Sequence, residues 1–236
     1  MTFFKTFLEV NNSRLMRNIS KILFGFALMI LAVNLNAQNN FEGQVDFKME
    51  YVEVPAEMEM MKGMLPTEMS MLIKGDRTRI EQSMMMGMKQ ATIIDVKSEK
   101  IHVLMDMMGK KMKMTIDSKE EEEEEKRGPK DDIDIKYVDG SKDIAGYKCK
   151  RADITSKGNK TPSVVYYTEE IPGELSREFK GLKGFPLEYG HSEQGMTIKI
   201  IATKVDEKKM EQSLFEVSDD YEEMDPKMIE RMMEGR

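Results

Sequence analysis

The side chains capable of chemistry are unevenly supplied. The 236 residues hold two His, one Cys and no Trp against 25 Met, and 16 of the Met fall between Met49 and Met114. Thioethers are soft, flexible and apolar, so three uses compete for them. They fill gaps in a core. They line an adaptable surface for a lipid chain or for a partner's apolar segment. Or they ligate Cu(I), which favours soft donors. Met58-Glu59-Met60-Met61 and Met112-Lys113-Met114 have the MxM or MxxM spacing of the copper reading, but alternate positions on a strand produce MxM by geometry alone. Core packing explains Met49, Met69, Met71, Met112 and Met114. It does not explain the triple Met84-Met85-Met86, which points to both faces of any strand.

The other reactive residues do not form a site in the sequence. His102 alternates with Ile101 and Val103 in a strand pattern, and His191 follows Gly190 in an expected turn. Neither has the Cys, Ser or Asp neighbours of a nucleophilic arrangement. There is no phosphate-binding Gly loop, HExxH, CxxC or GxSxG. The carboxylates are too many for a catalytic pair to stand out. The reading is a non-enzyme with no resident cofactor. A single Cys forms neither an intramolecular disulfide nor a multi-Cys zinc site, and the net charge of −7 argues against a nucleic-acid partner.

The elements that must position the methionines are strands, because the dominant period is two. Val45, Phe47, Met49 and Tyr51 alternate with Asp46, Lys48 and Glu50. Met112, Met114 and Ile116 alternate with Lys111, Lys113 and Thr115, and Met196, Ile198, Ile200 and Ala202 follow the same rule. One apolar and one wet face suits an antiparallel sheet. Turns are expected at Gly75-Asp76, Lys97-Ser98-Glu99, Gly109 and Lys157-Gly158-Asn159, with Asp139-Gly140 the strongest hairpin signal. Strands joined by such turns make a meander, curled into a barrel or half barrel.

Two segments read as helical. Pro55–Lys62 opens with Pro at a first helical position, and pairs Met58 with Met61 and Met60 with Met64. Asp225 caps a C-terminal helix over about 225–235, with Met228, Ile229, Met232 and Met233 on one face. Lys119–Asp132, with six consecutive Glu and no apolar residue, reads as a flexible acidic loop rather than a calcium site, which needs oxygens at fixed offsets.

The N-terminus supplies an address. From Met16, the expected functional start, Arg17 and Lys21 precede the apolar run Ile22–Val33, and Asn34–Ala37 offers a cleavage site. This is a secretory signal over residues 1–37, with no lipobox Cys, and its apolar run is shorter than the roughly 20 residues of a spanning helix. Removing its four basic residues and one acidic residue takes the net charge from −7 to −10. Residues 38–236 are then expected to form a single exported, periplasmic domain that does not span the membrane. Cys149 is either a buried inert thiol or the site of an intermolecular disulfide.

Phe41-Glu-Gly43, Ile73-Lys-Gly-Asp76-Arg77, Thr92-Ile-Ile-Asp95, Gly109-Lys-Lys-Met112, Ile144-Ala-Gly-Tyr-Lys-Cys149, Gly184-Phe-Pro-Leu187 and Leu214-Phe215-Glu-Val217 carry a resemblance. From Phe41 to about Tyr221 the chain resembles the domain-of-unknown-function 4412 family of exported Bacteroidetes envelope proteins. The acidic loop and Met-rich tail depart from it locally. The resemblance implies an envelope location and, more loosely, a LolA/LolB-like carrier architecture: an antiparallel sheet curved into an unclosed barrel, short helices over its mouth, an apolar hollow. It transfers no catalytic residue, and implies that Tyr147 and Cys149 face the interior together. The resulting expectation is a mainly β half barrel binding a lipid or acyl chain, with Phe47, Met49, Tyr51, Met69, Met71, Met112 and Met114 as the lining. A partner-binding envelope module and a Cu(I)-binding protein are the alternatives.

Overall fold

The computed structural model describes residues 41–224 except 84–86, 96, 118–132, 157–158, 177–178 and 194. The expected signal segment, Met84–Met86, the acidic loop and the C-terminal helix all lie outside the described residues. The strands are β1 (Glu42–Glu53), β2 (Glu68–Lys74), β3 (Arg77–Ser83), β4 (Lys89–Asp95), β5 (Lys100–Met107), β6 (Lys110–Asp117), β7 (Ile133–Ile144), β8 (Tyr147–Ser156), β9 (Asn159–Thr168), β10 (Phe185–Glu193), β11 (Met196–Glu207) and β12 (Glu222–Glu223). They form one sheet in the order β12-β6-β5-β4-β3-β2-β1-β11-β10-β9-β8-β7. All neighbours are antiparallel except β12, which runs parallel to β6. Among the described residues the two ends of the order do not pair, so the barrel is unclosed, as the family resemblance implies.

The sheet curls at its β7 end. Lys142 Nζ on β7 lies 2.5 Å from Glu188 Oε2 on β10, and the Tyr147 hydroxyl on β8 donates to Glu207 Oε1 on β11 at 2.9 Å. Three strand spacings separate each pair in the order, about 14 Å in a flat sheet. Irregular pairing supplies the bend. Asp139-Gly140 provides one such place, between Val138 and Ser141 of β7, with Gly140 at φ 147°. The strongest hairpin signal of the sequence is thus a bulge inside a strand. The reversal comes six residues later, at Ala145-Gly146, where φ is 49° and 89° and the two residues take the positive φ that a tight hairpin needs.

The turns at Gly75-Asp76, Lys97–Glu99 and Met108-Gly109 fall where expected. His191 does not sit in a turn: β10 continues through Gly190, and His191 opposes Ile198 of β11. Ala56–Met64 is helical, but as a 3-10 segment, with Pro55 just before it accepting from the Met58 amide at 2.8 Å. The i to i+3 repeat of this helix stacks Met58 over Met61, and both are buried; Met60 turns outward and is 98% exposed. The expected pairing of Met60 with Met64 therefore gives way to a 3-10 twist.

The main core lies on the inner face. The 3-10 segment contributes Met58, the residue after it contributes Leu65, and the β9–β10 connection contributes Ile171, Leu175, Phe179 and Leu182. The outer face of the β1–β6 half is crossed by the chain after β11. Glu42 anchors its start: the carboxylate accepts from the Met210 amide at 2.7 Å and from Lys74 Nζ at 3.0 Å, and Lys74 also donates to the Met210 carbonyl. Met210, Leu214 and Phe215 then pack on Leu72 of β2. Arg79 donates to the Leu214 carbonyl at 3.1 Å. Val217 and Tyr221 pack on Ala91, Ile93 and Leu104 of β4 and β5. The strap ends as β12 on the edge of β6, where the Met224 amide donates to the Lys113 carbonyl at 2.8 Å.

Candidate functional site: the methionine-bearing inner face

The register sets the inner face of β1–β6 in cross-strand rows. One row runs Phe47, Met69, Gln82, Gln90, Met105, Met112. The next runs Val45, Met71, Ile80, Thr92, Val103, Met114, and the third Gly43, Ile73, Thr78, Ile94, Ile101, Ile116. No residue in these three rows is charged. The charged side chains of the same strands, such as Arg79, Glu81 and Lys113, alternate onto the outer face.

The topology also collects methionine at one end. The β1–β2, β3–β4 and β5–β6 connections leave an antiparallel meander on the same side, and their described residues carry Met58, Met60, Met61 and Met64, then Met88, then Met108. The turns at the other end, Gly75-Asp76, Lys97–Glu99 and Ala145-Gly146, carry none. Met60 and Met108 are 98% and 83% exposed on that rim.

The expected lining residues lie on the inner face. Phe47, Met49, Met69 and Met114 are buried in one contiguous cluster, with Tyr51 and Met71 half-buried against it. Met112 is buried in the row next to Met114, opposite Met105, and outside that cluster. Tyr51 donates its hydroxyl to the Pro66 carbonyl at 2.7 Å, tying β1 to the chain just before β2; burial pushes its pKa up. The MxM pair Met58 and Met60 does not converge, since one is buried and the other exposed.

Sequence reasoning did not single out Gln82, Gln90 and Thr92, which are buried on this face at 6%, 6% and 2% exposure. Alternation was the available signal: Gln82 is two residues from the inward Ile80, and Thr92 two from Ile94. Among the described residues the Gln82 side-chain carbonyl oxygen is buried without a hydrogen-bond partner.

The remaining reactive groups lie elsewhere. His102 is half-buried on the outer face, its Nδ1 3.1 Å from Thr115 Oγ1, and burial followed by the charges of Lys100 and Lys113 lowers its pKa. Cys149 is fully buried, its thiol pushed up to about 11, first by burial and then by the charges of Asp143, Glu170 and Glu188. Tyr147 joins it at the core only as a half-buried neighbour whose hydroxyl points to Glu207. Among the described residues no three His, Cys, Asp or Glu gather where a metal ion could be held, and no helix is long and apolar enough to cross a membrane.

A model of the family described as Domain of unknown function (DUF4412) matches residues 41–172, more than half of the chain. The chain belongs to the DUF4412 family. In this DUF4412 member the match runs from the start of β1 to the residues just after β9. A crystal structure of a beta-barrel-like protein of domain of unknown function DUF1849 from Brucella abortus is similar over 73% of this chain and 100% of its own, at 8% identity and a TM-score of 0.34. No curated protein matches the chain.

Proposed function

We propose that this DUF4412 protein is an exported, non-enzymatic binding or carrier protein of the periplasm, and that its ligand is an apolar chain such as a lipid or acyl tail. One observation carries the reading: the inner face of β1–β6 is free of charge over three rows, and the connections at one end of it are rich in methionine. Flexible thioethers re-pack around chains of different shape at little cost. The leader-like N-terminus is the support for export.

The inner-face side chains are packed together, so a bound apolar chain must displace part of that packing. The 3-10 segment is suited to that movement. It has no side-chain cap and buries Met58 and Met61, with Leu65 buried just after it.

Native mass spectrometry of the full chain, purified without detergent or added metal, tests this. A retained mass in the lipid range is the expected result. A bare polypeptide mass, together with no fluorescence gain from the neutral apolar dye N-phenyl-1-naphthylamine, would overturn it in favour of a partner-binding envelope module. A copper increment removed by Met→Leu changes would replace it with the metal reading.

A further inference from the structure

The first inner row is not uniformly apolar. Gln82 and Gln90 face each other across β3 and β4, with Met69 on one side and Met105 and Met112 on the other. Thr92 lies in the adjacent row, opposite Ile80. A buried amide is tolerated in such surroundings when its polar atoms are hydrogen-bonded, yet the Gln82 carbonyl oxygen has no partner among the described residues. A residue of type Leu or Met would fill the same place without that penalty. The orphan acceptor therefore points to a donor brought by a ligand.

We infer that Gln82 is the polar anchor of the site: it selects amphiphiles whose head is an uncharged hydroxyl, such as a long-chain alcohol or monoacylglycerol, over chains with no donor and over charged heads. The inference rests on the apolar-chain reading above and names its ligand class. A hydroxyl gives its hydrogen to the amide oxygen, which an ether oxygen cannot do. A carboxylate or phosphate is disfavoured because the three rows hold no Lys or Arg, and a buried charge without a partner is costly. The row lies near the Met-rich end of the sheet, one residue into β2, one residue from the end of β3 and one residue into β4. A chain entering there keeps its tail on the thioethers and its head on Gln82.

The test compares two probes of equal chain length, 1-dodecanol and its methyl ether, by displacement of N-phenyl-1-naphthylamine from the full chain. The ether lacks the donor and keeps the apolar surface. The alcohol is expected to bind about 10-fold tighter, the ratio that one neutral hydrogen bond supplies. In Gln82→Met, which keeps length and flexibility, the ratio is expected to fall to about 1 with ether binding unchanged. Equal binding of both probes to the native protein overturns the anchor and leaves the apolar site standing. A preference that survives Gln82→Met overturns it as well. Binding of neither probe overturns the apolar-chain reading itself. Thermal melting of Gln82→Met separates the two roles of the side chain: a melting temperature held or raised, with the preference lost, marks a ligand anchor, whereas a lowered one with the preference kept marks a structural residue.

Discussion

The carboxylate of Glu188 on β10 meets the ammonium of Lys142 on β7 at 2.5 Å, although β8 and β9 lie between their strands. Lys199 of β11 approaches the other carboxylate oxygen at 3.1 Å. Glu188 is 5% exposed and both lysines are partly exposed, so one buried anion is shared by two cations at the surface. The pair fastens the curl of the sheet.

Burial alone would raise the Glu188 pKa, but the hydrogen bonds and charges of Lys142 and Lys199 outweigh it and leave it lowered. A depressed carboxylate contributes stability above its unfolded value, near 4.5, and loses it as pH falls through the folded value. Urea unfolding at pH 7 is expected to show Glu188→Ala less stable by about 2–3 kcal/mol. The gap between variant and native protein should narrow below pH 4.5; a gap that widens in acid contradicts the assignment.

The strap on the outer face is held by Phe215, which is 4% exposed against Leu72 and Met210. Phe215→Ala is expected to cost about 2–4 kcal/mol, at or below the range for buried Phe because this cluster is small. Amide exchange should speed up over residues 208–224 well before it does in β1 and β11. Uniform loss of protection across the sheet would mean that the strap does not open by itself.

Gly184 precedes β10 with no room for a side chain: an added Cβ would lie 2.1 Å from the Thr168 carbonyl oxygen, at the end of β9. Gly184→Ala must push two backbones apart and is expected to destabilise by about 2–3 kcal/mol. Gly63, where a Cβ meets nothing within 4 Å, is the control. Gly63→Ala should leave the melting temperature unchanged or raise it, by up to about 1 kcal/mol of stability. Equal effects of the two changes would show that the contact is not tight.

Cys149 is fully buried and its thiol is pushed up to about 11, so both access and thiolate are lacking at neutral pH. Ellman's reagent at pH 8 is expected to find no reactive thiol in the folded protein and one per chain in denaturant. Rapid reaction of the native protein would favour the intermolecular disulfide instead.

What the sequence by itself determined is the local part of the structure. Alternation around Phe47, Met49, Met112, Met114 and Ile198 specifies strands and their buried face, because a period of two leaves a side chain only two places to point. Gly75-Asp76 and Met108-Gly109 specify reversals through positive φ. Asp139-Gly140 has the same local chemistry, yet only the pairing of β7 with β8 decided that it bulges while Ala145-Gly146 turns. Tertiary structure also chose the neighbours across each row, and so placed Gln82 between Met69 and Gln90. Cross-strand partners are set by register over long sequence separations, which no local pattern records. The approach of Lys142 to Glu188 depends on the summed curl of four strands. The strap over Leu72, Ile93 and Leu104 depends on outer-face apolar residues that the alternation had no inner use for. Their partners, Phe215, Val217 and Tyr221, become legible only when the chain returns across the sheet to cover them.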